Sequence, residues 1–155
     1  MSADVAPATP ALAKEMSAFS PILGEWNCKG VFVSSGKEMA SHISASPALD
    51  GAWIAVHHDD LPPNRFHALE MWGFDKQAGQ FFEFIYDNFG AVRRFTSPGW
   101  SADKLIWTKD SQDRPERFIF KTKSALEMIV DWQVKKEKDW VTGDTLTCHK
   151  SQDHP

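Results

Sequence analysis

"GEWNCKG" (Gly24 to Gly30) places a Gly-x-Trp at the head of a β-like run, with a cysteine two residues after the tryptophan. Downstream, apolar or aromatic runs of about six to ten residues are separated by turn-forming stretches such as "SSGKE", "DLPPNR", "DKQAGQ", "DNFG" and "KEKD". Several runs alternate: in "FIFKTK" Phe118 and Phe120 share a face, and in "QFFEFIYD" Phe82, Phe84 and Tyr86 oppose Glu83 and Ile85. No βαβ pattern interrupts them. The expectation is an all-β chain of nine or ten short strands in up-and-down order, as a closed antiparallel barrel or a sandwich. Upstream, "ALAKEMSAFSPIL" spaces Leu12, Met16 and Phe19 as a short helix ending near Ser20-Pro21. Residues 1–10 read as a flexible leader or as the start of a mature exported chain, residues 11–150 as one barrel domain and 151–155 as a tail.

The 155 residues suffice for one domain with a sizeable core. Seven Trp and eleven Phe against one Tyr suggest an interior or a pocket lined with rings. The net charge is −4 and the only basic run, "KKEK" (Lys135 to Lys138), is interrupted by Glu137. Phosphate recognition needs a concentrated positive face, so nucleic acid is not an expected partner. No apolar run approaches the roughly 18 residues of a membrane span.

The two cysteines, Cys28 and Cys148, lie in the first and last strands. Closing an up-and-down barrel makes those strands neighbours, which would bring the thiols within disulfide reach. Such a bond implies an oxidising compartment, periplasmic or secreted. Two separate buried thiols in a cytoplasmic protein are the alternative.

The helix, Gly-x-Trp, strand and distant seam partner together resemble the calycins, the lipocalin-like barrels. That resemblance implies a tryptophan plugging the closed end with a basic residue of the last strand packed over it, here Lys150. "LGEWNCKG", "MWGFDKQAGQF", "YDNFG", "SPGWSADKLIW" and "TCHK" resemble, in that order, an uncharacterised bacterial lipocalin-like family of unknown function. Many members look exported and pair a cysteine after the first-strand Trp with one in the last strand. The resemblance implies a fold and carries almost no chemistry. Nitrobindin-type haem barrels are a more distant likeness. There His149 would be the superficial match to the iron ligand, but it faces opposite to Cys148, and no cofactor is expected.

The most polar stretch is "AVHHDDLPPNRFHALEMW" (Ala55 to Trp72). A four-residue loop Leu61–Asn64 would set His58 opposite His67 and Asp60 opposite Arg65. His57, Glu70, Trp53 and Trp72 would then share the other face. A one-residue slip would exchange the two sets. Three readings compete: a metal held by His58, His67 and a carboxylate; an acid–base pair from His57 or His58 with Glu70; or an ordinary solvated hairpin end. In "YDNFGAVRRF", Arg93 and Arg94 face opposite ways. An inward arginine would need Asp87, Glu83 or an anionic ligand.

Motifs of the large enzyme families are absent: no Gly-x-Ser-x-Gly, phosphate loop, His-Glu-x-x-His or Cys-x-x-Cys. The reading is a binder of a small apolar or amphipathic molecule in a barrel lumen. Its candidate contacts are Trp53, His58, His67, Trp72, Tyr86, Asn88, Arg94 and Trp107, with no resident metal. A small-molecule enzyme using His57, His58 and Glu70 is the alternative, and a filled structural barrel the third. Trp100 of "SPGW" is expected at the barrel mouth, and a homodimer is left open.

Overall fold

The computed structural model describes residues 12–109 and 113–152; the leader 1–10 and part of the tail lie outside them. A 3-10 helix, Met16–Ile22, precedes eleven strands: β1 Gly24–Phe32, β2 Glu38–Ala48, β3 Trp53–Asp60, β4 His67–Asp75, β5 Gln80–Asp87, β6 Val92–Ser97, β7 Trp100–Ser101, β8 Lys104–Lys109, β9 Glu116–Ser124, β10 Glu127–Lys136 and β11 Asp139–Lys150. Consecutive strands pair antiparallel from β1 to β6, and β8 to β11 do the same. β1 pairs with β11 and β6 with β8, so ten strands close into a barrel while the two-residue β7 lies outside it on β8. The β6–β8 closure is the thinnest part of the wall, with Phe95 opposite Lys109 and Thr96 opposite Thr108.

The expected helix forms, but its winding is tighter. A 3-10 helix has three residues per turn, so Met16, Phe19 and Ile22 fall on one face, and all three are buried. That face caps one end of the lumen. The Phe19 ring lies 5.1 Å from Trp72, 4.7 Å from Phe81 and 6.0 Å from Trp107, centroid to centroid. The contacts to Trp72 and Phe81 are edge-on, an arrangement that stabilises beyond simple area burial. The Trp100 indole donates to Ala18 O at 2.8 Å, which places it at this capped end and not at the mouth.

The opening motif has a physical account. Gly24 adopts φ +124°, a backbone conformation side chains resist, and the aliphatic chain of Lys150 passes 3.5 Å from where a Cβ would stand. Trp26 is buried, donates its indole N–H to Ile22 O at 2.9 Å, and carries the Lys150 ammonium 4.9 Å above its ring. Cys28 stands directly opposite Cys148 in the β1–β11 ladder and the two are disulfide-bonded, so the seam is stapled across 120 residues of chain.

Candidate functional site

Away from the helix, the lumen opens into a cavity of about 250 Å³. The strands fill it by alternation. Met39 and Ile43 come from β2, Val56 from β3, Ile85 from β5, Phe118 and Phe120 from β9, Val130 from β10 and Leu146 from β11. Trp132 also reaches it. At Gly143 a Cβ would stand 2.5 Å from the Trp132 ring, so only glycine leaves that indole its place.

Set into these apolar walls are His58, Asp60, Glu70, Arg93 and Asp144. Asp60 Oδ1 accepts the Ser41 hydroxyl at 2.6 Å and meets His58 Nε2 at 3.2 Å. Burial alone would push the His58 imidazole down; its bond to Asp60 and the charges of Glu70, Asp60 and Asp144 outweigh that, and its pKa is raised. Burial likewise pushes Asp60 up, but the bonds from His58 and Ser41 prevail and its pKa is lowered. The two shifts describe one ion pair.

Across the lumen, Arg93 Nη1 donates to Glu116 Oε1 at 2.9 Å, and Lys109 Nζ stands 3.7 Å from the same oxygen. Glu116 Oε2 accepts the Trp132 indole N–H at 2.8 Å. Deeper, Glu70 Oε1 accepts the Trp72 indole N–H at 3.1 Å. Glu83, the inward residue cross-strand from Trp72, is wholly buried, and neither carboxyl oxygen has a hydrogen-bond partner among the described residues. Burial, reinforced by the charge of Glu70, pushes its pKa well above the ordinary carboxylate value. The Asp144 carboxylate makes no hydrogen bond or ion pair to any described residue. Burial pushes its pKa to about 6, His58 opposing and Asp60 and Asp131 adding.

The register sorts the sequence-expected residues. Asp59 pairs with His67, His58 with Ala68, His57 with Leu69 and Val56 with Glu70. This is the one-residue slip, because the connection runs from Leu61 to Phe66, through a cis Pro62-Pro63 bond, rather than over four residues. His58 and Glu70 therefore share the inner face, while His57 and His67 point outward and are exposed. The expected His58–His67 pairing is corrected by this register. His67 Nδ1 instead meets Asp59 Oδ1 at 2.8 Å on the outside. Among the described residues, no group of three or more His, Cys, Asp or Glu is placed to hold a metal ion.

Trp72 and Trp107 are buried in the plug beneath the cavity and do not line it. Trp53 lies outside, its ring 5.4 Å from Phe82. Phe84 and Tyr86 continue that outer stripe, 6.3 Å apart, and the Arg94 guanidinium lies 5.5 Å from the Phe82 ring. The inward arginine is Arg93, and its partner is Glu116 rather than Asp87 or Glu83. Asn88 ties two loops together: it accepts from the His67 N–H at 2.9 Å and donates to Arg65 O at 2.7 Å. His149 is exposed opposite Asn27.

Sequence reasoning missed Glu116 and Asp144. Glu116 follows Pro115 and read as part of a loop. Asp144 was hidden because β10 and β11 change register between Trp132 and Gln133, which breaks the parity count along β11.

The chain matches no protein-family model, and no curated protein matches it. The closed ten-strand antiparallel barrel is compatible with a lipocalin-like fold, and identity beyond that rests on the site.

Proposed function

We propose that this protein binds a small amphipathic molecule in its lumen. The observation that carries the reading is the cavity of about 250 Å³, with apolar walls and a few polar groups, all but Asp144 held by bonds of their own. At about 30 Å³ per water, that volume takes about eight waters, or a ligand of about ten heavy atoms. Phe118, Phe120, Ile43 and Val130 supply the apolar contact, and His58, Asp60, Glu70 and Asp144 the orientation. The cavity speaks against the filled-barrel reading. The disulfide favours an oxidising compartment, periplasmic or secreted. The order of motifs along the chain favours kinship with the uncharacterised bacterial lipocalin-like family.

A second reading, a small-molecule enzyme, draws on the inner face of β3 and β4. A His58–Asp60 pair stands beside Glu70, with Glu83, its pKa raised by burial, behind the wall, and neighbouring groups with divergent proton affinities suit acid–base work. His57 faces outward and takes no part in it.

A native mass spectrum of the protein as purified, beside that of Ala68→Leu, tests lumen binding. Ala68 lines the cavity and is buried, so the larger side chain occupies ligand space. A retained small molecule, lost in the variant, is the expected result. Retention undiminished by Ala68→Leu would place binding elsewhere.

A further inference from the structure

We infer that the molecule bound in the lumen carries an ammonium group, and that Asp144 is the residue that receives it. The inference rests on the lumen-binding reading above and adds the chemical class of the ligand.

Each charged group of the cavity other than Asp144 already has a partner. Asp60 holds Ser41 and His58. Arg93 and Lys109 both address Glu116, which also takes the Trp132 indole. Glu70 takes the Trp72 indole. Among the described residues, Asp144 is the one charged group of the cavity whose side chain has no donor. It lines the same space as Phe32, Phe66 and Trp132, whose rings favour a cation nearby.

The balance of charge points the same way. Even with His58 protonated, three bases (His58, Arg93, Lys109) face four carboxylates (Asp60, Glu70, Glu116, Asp144), which leaves one negative charge uncompensated. Loss of the His58 proton makes the lumen more negative still. A carboxylate ligand would meet Asp144, Asp60 and Glu70 as like charges, and the one guanidinium it could seek is already bound to Glu116. An ammonium would give Asp144 the charge-assisted hydrogen bond it lacks.

Three probes of nearly one shape and of the size the cavity admits separate the cases: 2-phenylethylamine, 2-phenylethanol and phenylacetate, each titrated calorimetrically at pH 7.5. The amine is expected to bind about tenfold or more tightly than the alcohol, with phenylacetate weakest. Asp144→Asn is expected to erase the amine's advantage and leave the alcohol unchanged. Equal binding of amine and alcohol, or tighter binding of phenylacetate, would overturn the ammonium inference while leaving lumen binding intact. Failure of all three on the wild-type protein would overturn lumen binding itself and this inference with it. Because the ranking is read on the wild-type chain, a poorly folded variant does not remove the test.

Discussion

Glu116 of β9 joins four strands through one carboxylate: it accepts Arg93 of β6 at 2.9 Å and Trp132 of β10 at 2.8 Å, with Lys109 of β8 at 3.7 Å. The β6–β8 closure beside it contains only two residue pairs, so this cluster braces the wall where backbone pairing is thinnest.

Glu116→Gln leaves Arg93 without its counter-charge in a largely buried setting and is expected to cost about 3 kcal/mol. The double variant Arg93→Met/Glu116→Gln should lose less than the sum of the two single losses. Urea unfolding of all four proteins checks this. Strict additivity would mean the pair is not coupled.

The disulfide closes a loop spanning 120 residues, for which the chain-entropy model gives about 5 kcal/mol. Reduction, or Cys28→Ala/Cys148→Ala, is expected to lower the unfolding midpoint markedly while the far-UV spectrum stays β. An unchanged midpoint under reducing conditions would contradict the staple.

Asp144 sets a pH dependence. Its folded pKa of about 6 exceeds the reference 3.8, so between those values the folded state holds the proton more tightly and stability falls as pH rises. The loss is complete above about pH 6 and amounts to about 3 kcal/mol at 1.36 kcal/mol per unit. Glu83, also raised, acts in the same direction. The His58–Asp60 pair behaves otherwise. Asp60's contribution is present above its unfolded value and lost as pH falls through its lowered folded value, and that of His58 is present below 6.5 and lost as pH rises through its raised one. Asp144→Asn is therefore expected to gain stability over wild type at pH 8 and little at pH 4. Equal gains at both values would show that the charge is not the cause.

Outer-face residues serve as controls. His57→Ala, Tyr86→Ala and Arg94→Ala are expected to change lumen affinity by less than about twofold, in keeping with surface positions. Glu70→Gln, inside, is expected to change it by about tenfold, since a hydrogen bond to a charged group contributes about 1.5 kcal/mol or more. Calorimetry with 2-phenylethylamine reads both. A tenfold effect from Tyr86 or Arg94 would move the site to the outer stripe.

The fold was legible because its signals are local or terminal. Gly24-x-Trp26 marks the plug, Lys150 the cover over it, and Cys28 with Cys148 the seam. The site was legible only in part. Residue types in "AVHHDDLPPNRFHALEMW" pointed to polar groups in a lumen, but facing depends on the parity of a loop, and Pro62-Pro63 leaves that parity open to sequence reasoning. The structure re-paired the two sets, joining His58 and Asp60 of one with Glu70 and Trp72 of the other inside, and sending His57 and His67 outside. Arg93 and Arg94 show the same limit, since adjacent residues on a strand differ only in face. Asp144 lay beyond reach because the bulge beside it, at Gly143, decides where it points.

The most direct test of lumen binding is an amide-shift titration with 2-phenylethylamine on uniformly nitrogen-15-labelled protein. The largest changes are expected at Ile43, Val56, Phe120, Val130 and Leu146, whose side chains line the cavity, with little at Trp53, Phe84 or Tyr86. Changes confined to the outer stripe, or none with the amine, 2-phenylethanol or phenylacetate at millimolar concentration, would contradict a ligand-binding lumen.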